Sequence, residues 1–170
     1  MLRFNSDHKF KIMQIADTQE IPAVSPDTLS LINNALDREK PDLVIFTGDQ
    51  IKGYSKKFKK DPAIIESTID ILVEPIAKRN IPFMVTYGNH DAQCGVDNRG
   101  QYKFYAKYDN FISGDLRNAD DVGTADIQIY SSTEDKPVFE LYIIDSHGKA
   151  KDGAGYAPVD KEQIEWYVSR

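Results

Sequence analysis

Pro82-Phe83-Met84-Val85-Thr86-Tyr87-Gly88-Asn89-His90-Asp91 runs from an apolar segment straight into an amide, an imidazole and a carboxylate. The apolar part reads as a buried strand, and the three polar residues fall where that strand should stop. Two earlier segments are built the same way, Ile15-Ala16-Asp17 and Leu43-Val44-Ile45-Phe46-Thr47-Gly48-Asp49. Each apolar run thus releases a residue of metal-ligating type at its carboxyl end.

The chain between these runs is helical in pattern. Ser25-Pro26 reads as an N-cap with proline at the first helical position, and Leu29, Ile32 and Leu36 recur at helical spacing, which predicts a helix over 26–39 ended by Pro41. Asp61-Pro62 opens a second helix with Ile65, Ile69, Leu72 and Ile76 on one face; Pro75 inside it removes a backbone donor and predicts a kink or an early end. Phe10, Ile12, Met13 and Ile15 predict a mostly buried first strand over 9–17, and Leu43–Phe46 reads as a strand covered on both faces. Residues 9–87 are therefore β-α-β-α-β, an α/β layered architecture with parallel strands joined by right-handed crossovers.

Beyond Asp91 the pattern weakens. Tyr102, Phe104, Tyr105 and Tyr108 suit a short helix with an aromatic core face, and residues 112–125 read as irregular. Ile127–Tyr130 and Val138–Ile144, joined by a polar segment, predict a hairpin. Gly148, Gly153 and Gly155 mark a loop, and Asp160 with Gln163 forms a capping-box start to a last helix. Arg170 closes the sequence about two and a half turns into that helix, so the reading expects a cut domain.

Composition sets limits on function. The chain has 170 residues, 28% charged and 41% hydrophobic, with a net charge of −6. That suits one domain with a sizeable core, and it disfavours nucleic acid or an anionic membrane as a general partner. One cysteine, Cys94, leaves no internal disulfide or cysteine-rich zinc site. The N-terminal residues lack a signal-like apolar stretch, and the reading expects a cytoplasmic protein.

In open parallel sheets ligands bind beyond the carboxyl ends of the strands. Asp17, Asp49 and Asn89 would share that edge. Their short side chains keep oxygens close to the backbone, as hard divalent cations require, and borderline metals accept an added imidazole. A carboxylate on the middle strand could bridge two ions, which together could clamp a phosphoryl group.

Asp17, the Gly48-Asp49 pair and Gly88-Asn89-His90-Asp91 resemble the calcineurin-like metallophosphoesterases, in the branch related to purple acid phosphatases and cyclic-nucleotide phosphodiesterases. The resemblance covers residues 9–91 clearly and extends more loosely through Leu141–Asp145 and Glu162–Trp166. It implies a layered sandwich of the metallo-dependent phosphatase type over residues 9–170. It also implies two divalent ions, manganese, iron or zinc, with Asp17 on the first, Asp49 bridging and Asn89 on the second. His90 would face the leaving oxygen, Asp91 would orient His90, and a metal-bound hydroxide would attack a small phosphomonoester or phosphodiester.

Two departures qualify the resemblance. Gln19 stands where the family usually has a histidine two residues after the first aspartate. The family's later His and Gly-His-x-His ligands have no counterpart, since the only histidines are His8, His90 and His147. Three outcomes follow: a phosphoesterase, an inactive fragment that binds metal weakly or serves in association, or a chain completed by another. The reading expects the C-terminal part of the second sheet to be missing and the hold on the two metals to be weakened accordingly. Apolar surface around 127–144 should then favour dimerisation or poor solubility.

Overall fold

The structure, a computed structural model, describes residues 1–150, 153 and 155–170. In chain order the elements are β1 (Leu2–Arg3), β2 (Ile12–Ile15), α1 (Pro26–Glu39), β3 (Leu43–Thr47), α2 (Pro62–Ala77), β4 (Phe83–Thr86), α3 (Asn98–Ala106), β5 (Asp115–Leu116), β6 (Ala125–Tyr130), β7 (Pro137–Ile143) and α4 (Lys161–Ser169). Single 3₁₀ turns occupy Lys56–Phe58 and Asp91–Cys94.

Strand alternation sets the layers. β2, β3 and β4 form a parallel sheet in that spatial order, with β3 in the middle. Successive side chains of a strand point to opposite faces. Val44, Phe46, Phe83 and Val85 therefore face the helices, where Ile32 and Leu36 of α1, Ile65, Ile69, Leu72 and Ile76 of α2 and Tyr105 of α3 join one core. Leu43, Ile45 and Met84 face the other way and pack on Leu2, Ala125, Ile129 and Ile143 of the second sheet. The continuous apolar runs of β3 and β4 are explained by this double cover.

The second sheet is centred on β6. β7 pairs antiparallel along one side of it, and the two-residue strands β1 (parallel) and β5 (antiparallel) share the other. The expected hairpin is β6–β7, with a register irregularity at Ile129/Tyr130. Val138 and Phe139 of β7 are exposed. α4 lies against β7 through Tyr142, whose ring meets Trp166 at 5.8 Å and Tyr167 at 4.8 Å.

The helix ends follow the sequence signals. Ser25, Asp61 and Asp160 cap α1, α2 and α4, and Asp160 and Gln163 close a reciprocal capping box. α2 stops at Ala77, two residues beyond Pro75. Three expectations need correction. The first strand is half-exposed, with Ile12 and Gln14 outward, because β2 is an edge strand that the second sheet does not cover. It also begins at Ile12, three residues later than expected. Residues 112–125, read as irregular, contain β5. The glycine-marked loop over 148–155 includes positions 151, 152 and 154, which lie outside the described residues. Among the described residues no helix is long and apolar enough to cross a membrane.

Phe46 has no exposed surface and touches Phe83 and Tyr105 by its ring. Urea unfolding should show Phe46→Ala costing about 3–5 kcal/mol. Phe139→Ser, on the exposed face of β7, should stay within about 0.5 kcal/mol of the parent.

Candidate active site

The parallel register aligns the three strand ends, pairing Ile15 with Phe46 and Thr47 with Thr86. Past the strands the chains remain joined. The Asp17 N–H donates to Gly48 O at 3.1 Å and the Gln19 N–H to Asp49 O at 2.9 Å. To make these turns Asp17 (φ 54°), Gln19 (φ 43°) and Asp49 (φ 53°) adopt left-handed backbone, which aspartate tolerates better than most residues and which costs a side chain such as that of Gln19 roughly 1–2 kcal/mol. Gly48 (φ 106°) must be glycine for a second reason: a methyl there would stand 2.5 Å from the Gly88 nitrogen.

Asp49 sits at the centre. Its Oδ1 accepts the His90 N–H at 2.9 Å, and its Oδ2 lies 4.0 Å from His90 Nε2. A methyl on Gly88 would overlap Asp49 Oδ1, so the absent side chain is what lets the carboxylate lie against the Gly88-Asn89-His90 turn. Gln50 adds a further link, donating from Nε2 to Thr86 O at 3.0 Å.

Asp91 is almost wholly buried. The resemblance gave it the task of orienting His90, but its carboxylate is used elsewhere. Oδ2 accepts the N–H groups of Asp49 and Gly88, both at 2.8 Å, and Oδ1 accepts that of Ile51 at 3.3 Å. Three turn amides with no strand partner capture it first. Burial pushes its carboxyl up to about 6; the three N–H donors pull it down, and nearby Asp49 raises it further. The residue that holds His90 is Gln93, whose Oε1 lies 3.1 Å from His90 Nδ1. Gln93 Nε2 donates in turn to Asn89 O at 3.0 Å, which fixes the amide and leaves His90 Nε2 as the ring atom open to the site. The His90–Gln93 spacing on a single 3₁₀ turn was the available clue. Tyr54 meets the His90 ring edge-on at 4.7 Å between centroids.

The donors suit divalent cations in kind. Asp17 is exposed, and neither its carboxylate nor Asp49 Oδ2 takes a hydrogen bond among the described residues. Carboxylate and amide oxygens beside an imidazole are what hard and borderline metals accept. In number the donors make a partial shell: among the described residues no three His, Cys, Asp or Glu side chains are arranged to hold a metal ion.

His147 reaches the edge of this site without joining it. Gly148 packs against Asn89, and a cavity of about 370 Å³ opens between Asn89, Asn98 and His147. The His147 ring is surrounded by acids: Asp121 and Asp160 lie 3.8 Å from Nε2 and Asp145 lies 4.0 Å from Nδ1. Gln163 of α4, fully buried, ties this group together through Asp145 O at 2.6 Å and Thr124 Oγ1 at 3.0 Å. Burial raises the Asp145 carboxyl above its usual range, partly offset by His147 and by Asn98, which donates to it at 2.8 Å.

Residues 10–168 match the calcineurin-like phosphoesterase family. The chain is 33% identical over 183 residues to the phosphatase DCR2 of Saccharomyces cerevisiae, covering 94% of this chain and 30% of that protein. It is 28% identical over 195 residues to probable inactive purple acid phosphatase 14 of Arabidopsis thaliana, covering 98% of this chain and 47% of that protein. The chain thus spans about half or less of the length of these relatives. A solved dimetal phosphatase from Danio rerio shares the fold at a TM-score of 0.55 and 14% identity, over 94% of this chain and 50% of that one.

Replacing Gly88 with alanine should displace Asp49 or part the two turns. In thermal and urea unfolding Gly88→Ala should lose about 1–3 kcal/mol, as overpacking does. Asp91→Ala should cost at least as much, roughly 1–3 kcal/mol for each buried N–H it orphans.

Proposed function

Because the chain belongs to the calcineurin-like phosphoesterase family, we propose that it hydrolyses phosphate esters at the edge where β2, β3 and β4 end. The observation that carries this reading is the direct contact of all three strand ends around Asp49: Asp17 through the Gly48 carbonyl, and Gly88-Asn89-His90 through the carboxylate itself. Asp17, Asp49 and Asn89 would hold the divalent cations that the family implies. A divalent cation in such a place polarises a phosphoryl oxygen and acidifies water.

The protein's own residues supply positioning and proton transfer. Gln93 engages His90 Nδ1, so His90 moves its proton at Nε2, the atom on the Asp49 side. A histidine so placed can protonate the leaving oxygen of a phosphomonoester or phosphodiester. Asp91 keeps the two turns in register and thereby holds Asp49 and His90 in place. The substrate is a small phosphorylated molecule, admitted along the open cavity beside Asn89.

A second reading is a non-catalytic member of the family. It draws support from the partial metal shell and from relatives whose names carry "probable inactive".

The two readings separate in a manganese- or zinc-dependent assay with p-nitrophenyl phosphate. For a phosphoesterase, Asp49→Asn should lower the rate by at least about 100-fold, and His90→Asn should lower kcat by roughly 10²–10⁴. Equal, near-zero rates for the parent and both variants would favour the non-catalytic reading.

A further inference from the structure

Lys52, Lys56, Lys57, Lys59 and Lys60 place five of the chain's 21 basic residues within nine positions, in a protein of net charge −6. None of the five forms an ion pair among the described residues, whereas Lys11, Lys78, Lys107 and Lys161 do. A run of lysines is often only a solvated loop, but this one is fastened beside the site. Gly53 lies so close to the His90 carbonyl oxygen that a methyl would overlap it. Phe58 is sunk in the core at 1% exposure. Ser55 caps the 3₁₀ turn that carries Lys56 and Lys57, and the Lys60 stem packs on Gly95, where a methyl would come within 3.0 Å of it.

The fastened loop walls a cavity of about 270 Å³ with Tyr54, Lys56, Lys59 and Lys60 on one side and Gln93 on the other, and no acid lines it. Two of these residues touch the site directly. Tyr54 meets the His90 ring, and Gln93 holds His90 Nδ1. Gln93 also lines the cavity beside Asn89, so the two cavities flank the His90 turn.

We propose that the lysine cavity is a binding site for a second phosphate, carried by the part of the substrate that leaves. This rests on the phosphoesterase reading for the role of the substrate, but the anion site itself does not depend on turnover. Three lysines lining a cavity of this size suit a compact polyanion, since lysine binds phosphate as a point charge and the attraction is strongest where several cations share a concave wall. Lys52, 5.2 Å from the centre of the Tyr54 ring, adds a fourth cation behind the aromatic wall. Substrates with a single phosphate would leave the cavity empty and bind less tightly.

The test is calorimetric titration of sodium tripolyphosphate, and separately of inorganic phosphate, into the protein in EDTA, where hydrolysis cannot contribute. Tripolyphosphate should bind more tightly than phosphate and weaken as salt is raised. The combined variant Lys56→Gln, Lys59→Gln, Lys60→Gln should weaken it roughly tenfold or more, while the equally unpaired but scattered Lys9→Gln, Lys103→Gln, Lys136→Gln set should change it less than about threefold. Asp49→Asn should bind it at least as well as the parent, which separates this site from the hydrolytic one. Equal weakening by the two lysine sets, or no preference for tripolyphosphate over phosphate, would overturn the proposal. All the substituted lysines are exposed, and circular dichroism will show that both sets stay folded.

Discussion

The Asp91 carboxylate, buried and shared among the N–H groups of Gly88, Asp49 and Ile51, is the contact on which the arrangement of the strand ends depends. Sheet hydrogen bonding stops where β3 and β4 end, and the amides of the following turns must find other partners or remain orphaned in the interior. Apolar packing cannot serve them. One acidic side chain takes three of them, and its own backbone carbonyl is held by Gln101 Nε2 at 2.8 Å. The turns that present Asp49 and His90 are thus positioned by a polar clasp laid over two apolar cores.

Those cores explain why the clasp falls where it does. Alternation along β3 and β4 commits one face to the helices and the other to the second sheet. With both faces taken, the polar residues of these segments can emerge only at the strand ends. Glycine at 48 and 88 then allows the two turns to touch, which brings groups 41 residues apart in sequence into hydrogen-bonding distance.

Much of this was legible in the residues, and the gaps have physical causes. The double cover of Leu43–Phe46 and the caps at Ser25, Asp61 and Asp160 follow from local pattern, and they appear as read. β1 and β5 escaped notice because two residues carry no periodicity. The exposure of β2 was hidden because its apolar residues look the same whether or not a second layer covers them. At the site, the residue types placed Asp17, Asp49, Asn89 and His90 on one edge, but they could not say which acceptor the turn amides would choose. That choice moved the support of His90 from Asp91 to Gln93. Nothing in the spacing of the lysines over 52–60 tells a fastened loop from ordinary surface; the close approach of Gly53 to the His90 carbonyl is what fixes them beside the site.

The left-handed backbone at Asp17, Gln19 and Asp49 bears on how such a chain would drift under selection. At Asp17 and Asp49 asparagine suits that backbone still better and keeps a side-chain acceptor, so the substitutions that most readily raise thermal stability there are also those that strip the edge of its charge. A lineage screened for robustness alone would therefore shed these carboxylates while keeping its fold, and with them the oxygens that a divalent cation would need.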